Sequence, residues 1–193
     1  MQVPFGEWLP DLPDHTNPGA TQALNVYPAV NSYRPWKSIT STSGNALTAR
    51  AQGAASFKSD TGVISIFAGD ATKLYKLTSN SFVDESGGTT FSTPTDGHWD
   101  FIKFGEVIIA FNGDDAAQAW TLDSSSDFAA LAGSPPVFKH AAVVGNFVVT
   151  GFQPNAQTTV AWSSFNSATS WTAGTNQSDT EVLPEGGVIT GVT

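Results

Sequence analysis

The chain contains no cysteine, so disulfide bonds, cysteine-ligated zinc and thiol nucleophiles are excluded. It is also poor in charge. Asp, Glu, Lys and Arg make up 13% of its 193 residues, about half the usual share. Positive charge is scarcest: Arg34 and Arg50 are the two arginines, and the formal net charge is −9. Proteins that grip nucleic acid use clustered Lys and Arg, whose binding displaces counterions from phosphates. That footprint is missing. An acidic surface instead suits DNA that must slide past without sticking, because like charges repel. No apolar run approaches the length of a membrane span. The opening "MQVPFGEWLPDLPD" is acidic and Pro-rich, unlike a signal peptide, so synthesis without a classical export signal is expected.

What is present describes a folded β-protein. Hydrophobic residues make up 40%, with six Trp. The surface must be built from Ser, Thr, Asn, Gln and Gly. Residues 1–50 carry Pro at 4, 10, 13, 18, 28 and 35. Each Pro fixes φ and removes an N–H donor, so long helices and central strands are disfavoured. These fifty residues read as an extended Pro-rich arm with turns and one short strand around Ala23–Tyr27.

Residues 51–193 read differently. "AASFKSDTGVISIFAGD", "WDFIKFGEVIIAFNGD" and "FKHAAVVGNFVVTGF" each give strand, Gly-containing turn, strand. No helical period exceeds one turn. Anchoring on Phe67, Phe111 and Phe152 gives steps of 44 and 41 residues. A third strand with one aromatic follows each anchor (Tyr75, Trp120, Trp162), then another aromatic (Phe82, Phe128, Trp171), then Gly87, Gly133 or Gly174. Four short strands per 40–45 residues is the period of a β-propeller blade. The expected fold is all-β, a β-propeller-like array of about three four-stranded blades, incomplete, preceded by the arm. The blades are expected at about 53–88, 97–133 and 137–174, with the start of a fourth at 179–193. Three blades are fewer than the usual four to eight, so the array reads as part of a longer propeller or as a ring completed by other chains. A plain β-sandwich is the alternative.

The chemistry-bearing motifs are weak. "NGDD" (Asn112–Asp115) clusters two carboxylates, short of the six or more oxygens calcium takes. It reads as a turn. "SSFNSATSW" (Ser163–Trp171) resembles the Asp-box of sialidase-type propellers, a structural turn between third and fourth blade strands. Asn166 and Ala168 stand where that box has Asp and Gly. His15, His98 and His140 lack ligand-spaced partners. Asp84–Glu85 and Asp114–Asp115 are poor glycosidase pairs. No nucleophile elbow, Walker pattern or GxGxxG occurs. No catalytic residue, metal ligand or cofactor is expected. Trp120, Trp162 and Trp171 are expected in packing between blades. Trp8, Arg34 and Trp36 of the arm are the candidate contacts to the array or to a neighbouring subunit.

A family resemblance rests on the arm. Pro13-Asp14, Pro18-Gly19, Asn25, Tyr27-Pro28 and Arg34-Pro35 follow an order that resembles the N-terminus of tail tubular protein B, the nozzle family of short-tailed bacteriophages. Phe67–Tyr75, Phe104–Asp114 and Gly133–Pro136 are similar to later segments of related phage structural proteins. The resemblance implies a viral structural protein of the phage tail, made in the host cytoplasm and resident in the virion. It implies a homo-oligomer, a hexamer in that family, and contacts with other tail and head–tail connector proteins. It also implies a DNA-ejection channel without sequence-specific binding, and no enzymatic activity. Family members are several times longer than this chain. Two other classes stay open: a propeller-type module binding host glycans through exposed Trp such as Trp36 or Trp99, and a sialidase-like hydrolase. The latter lacks the Arg triad its chemistry needs, since the repeats hold no Arg.

Overall fold

The computed structural model describes residues 7–20, 22–29, 32–38, 40–41 and 44–193; Pro4 of the expected arm lies outside them. The chain divides into two compact units, Met1–Ser41 and Thr42–Thr193. Among the described residues every regular element is a β-strand.

In the first unit, β1 (Val26–Ala29) pairs antiparallel with β2 (Ser32–Pro35), placing Tyr27 opposite Arg34. The sequence suggested one strand near Ala23–Tyr27; the structure forms a two-stranded ribbon a little further on. Pro28 and Pro35 are tolerated because each strand of a two-stranded ribbon has a free edge that needs no donor. Upstream, Trp8 bridges Ala20, and the Asn17 side-chain amide donates to the Leu9 carbonyl at 2.7 Å.

The second unit contains three four-stranded antiparallel sheets. Sheet 1 comprises β3 (Gly53–Lys58), β4 (Ile64–Gly69), β5 (Leu74–Thr78) and β6 (Ser81–Asp84). Sheet 2 comprises β7 (Asp100–Phe104), β8 (Val107–Phe111), β9 (Gln118–Thr121) and β10 (Ala129–Ala130). Sheet 3 comprises β11 (His140–Val144), β12 (Phe147–Gln153), β13 (Ala156–Trp162) and β14 (Asp179–Val182). Strands follow chain order in every sheet. The first hairpins of sheets 2 and 3 turn on Gly105 and Gly145, both at φ +58°, as a tight turn with Gly in its first position demands.

The sheets stand in a row with their first strands adjacent, β3 beside β7 and β7 beside β11. Among the described residues the row does not close. Sheet 2 is buried on both faces, and side-chain alternation along a strand explains how one apolar run serves both. In β8, Ile108 and Ala110 face sheet 1 and join Phe67, Leu74, Trp120 and Phe128. Ile109 and Phe111 face sheet 3 and join Phe138, Val148 and Trp171. The connecting segments enter these interfaces too. Phe91 and Trp99 fill the first and Leu131 and Phe138 the second.

Two sequence expectations need correction. Residues 179–182 do not open a fourth unit; they pair with β13 and complete sheet 3. All four are exposed, so no apolar pattern marked them as part of that sheet. The repeat anchors also shift. Strand pairing sets Gly53 opposite Gly69, Asp100 opposite Phe111 and His140 opposite Gly151. Gly69, Phe111 and Gly151 are therefore equivalent, 42 and 40 residues apart. Phe67 corresponds to Ile109 and Val149. Phe152 sits at the register shift between Gly151 and Gln153 with φ +57°. There one residue of β12 faces three of β13, 157–159, so the irregularity is a β-bulge whose extra residues lie on β13, and Phe152 is not the counterpart of Phe67.

Candidate functional site

The loops that follow the second strand of sheets 1 and 2 hold the densest polar chemistry of the second unit. After β4, Asp70 is fully buried. Its Oδ1 accepts the Thr72 and Lys73 N–H groups, both at 2.9 Å. Its Oδ2 accepts the Tyr75 hydroxyl at 2.7 Å, the Thr48 hydroxyl at 2.9 Å and the Ala49 N–H at 3.1 Å. A carboxylate offers about four lone-pair sites, and these donors fill them. Burial alone raises the Asp70 pKa, but the donors, led by the Thr72 N–H, outweigh it and leave it below the ordinary aspartate value. The group is a saturated structural anion with no lone pair to spare for a substrate or cation.

After β8, Asn112 takes the matching place. Its Oδ1 accepts the Asp114 N–H at 3.0 Å and the Asp115 N–H at 2.8 Å. Its Nδ2 donates to the Thr93 hydroxyl at 2.9 Å and to Asp115 Oδ2 at 2.8 Å. Asp115 Oδ2 also accepts the Ser92 N–H at 2.8 Å. The "NGDD" carboxylates are thus divided: Asp115 fastens a connecting segment and Asp114 is exposed. Both loops do one job. Each ties the end of a second strand to the segment that leads into the same sheet, residues 48–49 in sheet 1 and 92–93 in sheet 2. Residues 44–50, placed by sequence in the arm, therefore belong to sheet 1.

The remaining candidates scatter. Asp84 pairs with Lys73 and accepts the Ser86 hydroxyl at 2.7 Å. Neighbouring Glu85 is raised in pKa by burial and by the charge of Asp127. His98 lies 3.1 Å from Asp100, and His140 meets the Phe152 ring edge-on. Among the described residues no group of three or more His, Asp or Glu is placed to hold a metal ion.

The aromatic residues separate into buried and open. Trp99, a candidate glycan contact by sequence, is buried against Phe91 and donates its indole N–H to the Asp70 carbonyl at 2.9 Å. It leaves no face for a ligand, and that expectation falls. Trp120 and Trp171 lie in the two interfaces as expected. Trp162 instead lies on the free face of sheet 3, half-buried, its indole N–H bonded to the Gln177 carbonyl at 2.6 Å. In "SSFNSATSW", Ser164 Oγ donates to Ser170 Oγ at 2.8 Å, and Trp171 donates to the Ala168 carbonyl at 2.8 Å. The loop lies between β13 and β14 and plugs Trp171 into the core.

In the first unit Trp8 is 51% exposed and Trp36 is 66% exposed. The Trp36 ring meets Tyr27 edge-on at 6.2 Å, and Arg34 is exposed on β2. The contacts foreseen for these three residues lie beyond either unit taken by itself. Trp8 lines a shallow hollow with Val26, Pro28 and Tyr33; Trp36 is not part of it. No protein-family model matches the chain, and no curated protein matches it.

Proposed function

We propose that the chain is a non-catalytic structural component of a phage virion tail, of the nozzle type, and forms part of the DNA-ejection conduit. The observation that carries this reading is the row of three four-stranded sheets, read as blades of an incomplete propeller. The buried side chains of Asp70 and Asn112 are spent on tying the end of a strand to the segment that leads into the same sheet. A scaffold so arranged keeps its shape under load and offers no organised reaction centre. The tail assignment itself rests on the resemblance of the Pro-rich start and the "FAGD" and "NGDD" segments to that family.

In this reading the arm docks through Trp8, Arg34 and Trp36 onto a neighbouring subunit or another tail protein. The net charge of −9 supplies a wall that repels DNA phosphates and shortens their residence. Purified virions test the role: a label on this chain is expected at the tail, and its absence from particles overturns the proposal. A charge map of the assembled ring tests the channel, since a basic lumen lined by this chain contradicts it. Glycan binding is the second reading, favoured by the 66% exposure of Trp36. Glycan-array signal abolished by Trp36→Ala would support it.

A further inference from the structure

After β14 the chain crosses back over sheet 3. The Leu183 N–H donates to the Thr158 carbonyl at 2.9 Å and the Ile189 N–H to the Gln157 carbonyl at 3.0 Å, which fixes the segment on β13. Ile189 and Val192 then sit over Gly151 of β12, where a Cβ would meet the Ile189 side chain at 2.8 Å. Gly151 lies opposite His140 of β11. Gly191 and Val192 line a solvent-open hollow of about 280 Å³ together with His140 and, from sheet 2, Asp100 and Phe111. The segment is a strap laid from β13 to β11, and an imidazole stands at its far end.

Three titratable groups surround that imidazole. Asp100 of β7 lines the same hollow, and His98 Nε2 lies 3.1 Å from its Oδ2. Lys139 precedes His140 in the chain and holds its ammonium 5.4 Å from the Phe152 ring, the ring that His140 meets edge-on at 6.0 Å. β12 and the strap bring no charge to this place: Gly151, Phe152, Ile189, Gly191 and Val192 are all apolar. Burial and then the Lys139 charge hold the His140 pKa below its ordinary 6.5; Asp100 opposes them and His98 adds to them. The seated strap therefore favours the neutral ring. Its hold is complete above the ordinary value and is lost as pH falls through the lowered one.

We infer that His140 is an acid-sensitive latch: its protonation lifts residues 189–192 from the face of sheet 3 and uncovers Gly151. A charged imidazole keeps its water only if the apolar strap end moves away. The Lys139 ammonium already lies over the Phe152 ring, so the new charge meets a like charge there. The Leu183 bond to β13 does not involve His140, so the strap opens at its β11 end while β14 stays paired. The latch belongs to sheet 3 and its connector and does not depend on the virion role. Its test uses the purified chain alone.

Methyl and imidazole NMR of the full chain, titrated from about pH 8 to about pH 5, reads both ends of the latch. The Ile189 and Val192 methyls are expected to move toward unpacked positions with the midpoint at which the His140 ring titrates. The methyls of Val148, which is 0% exposed in the core, stay in place. His140→Gln removes the step and leaves the strap seated throughout. Two neighbouring variants shift it in opposite directions: Asp100→Asn lowers the midpoint, and Lys139→Gln, at an exposed position, raises it. These two carry the test even if His140→Gln does not fold. Four results overturn the inference. The Ile189 methyl does not respond to pH. The step survives in His140→Gln. The midpoint ignores both neighbouring variants. Val148 moves together with Ile189, which marks general acid unfolding.

Discussion

Ile109 in β8 and Val149 in β12 occupy the same place in their sheets, yet Ile109 is fully buried and Val149 is half open. Strand, register and side-chain direction are shared. What differs is the neighbour: sheet 3 covers Ile109, whereas Val149 faces outward from sheet 3. Burial in this fold is thus set by the position of a sheet in the row more than by its own sequence. The same contrast runs through the loops. Asp70 and Asn112 fasten equivalent corners, one with a charged acceptor and one with an amide that both accepts and donates.

Aspartate substitutions separate the two environments most sharply. Ile109→Asp places an unpaired charge in a sealed interface, and a loss above about 4 kcal/mol is expected. Urea melts should show it largely unfolded. Val149→Asp, measured under monomeric conditions, should cost within about 1 kcal/mol. Similar losses for the pair would break the argument from neighbours.

Asp70→Ala comes next. It strands the Thr72, Lys73 and Ala49 N–H groups in a buried corner, and about 3 kcal/mol is expected. Asp70→Asn should fall between, since an amide matches the oxygen that serves Thr72 and Lys73 but not the one that accepts three donors. Chemical denaturation of the three proteins side by side gives the ranking.

The indoles offer a finer test. Trp99 donates to the Asp70 carbonyl, whereas the buried Trp120 N–H has no partner and its ring lies 4.7 Å from the Lys76 ammonium. Trp99→Phe should therefore cost about 1 kcal/mol more than Trp120→Phe. Equal thermal shifts would show that the hydrogen bond contributes little.

Acid dependence is the smallest expected effect. The folded Asp70 pKa is lowered, so its contribution is complete above the unfolded value, about 3.9, and is lost as pH falls through the folded one. Glu85 is raised, so its charged form is disfavoured by folding and its penalty fades as pH falls through that raised value. Asp70→Asn should flatten the acid limb of stability against pH, and Glu85→Gln should steepen it.

The sequence made the hairpins legible because Gly62, Gly105 and Gly145 punctuate apolar runs at strand spacing. It marked Phe67, Phe111, Trp120 and Trp171 as core for the same reason. The bulge opposite Phe152 was hidden because extra residues on the facing strand, β13, break the register without changing the apolar content of β12. β14 was hidden because an outer, exposed strand has no hydrophobic alternation to read. The membership of residues 44–50 was hidden because it depends on Asp70, a single buried carboxylate that resembles any turn aspartate in one dimension. Trp99 lies outside the repeating aromatics and looked available; its burial follows from the bare Gly69 backbone beneath it, a partner thirty residues away.

A row of sheets that touch only their neighbours unfolds as a one-dimensional lattice does, from its ends. The strand that serves two interfaces at once then acquires a kinetic role. β8 cannot open until both sheet 1 and sheet 3 have detached, so its amide protons should be the last of the unit to exchange with solvent, and those of the exposed β14 among the first. The apolar run "VIIAF" is in that sense the clasp of the array, the place where two local openings must coincide before global unfolding proceeds.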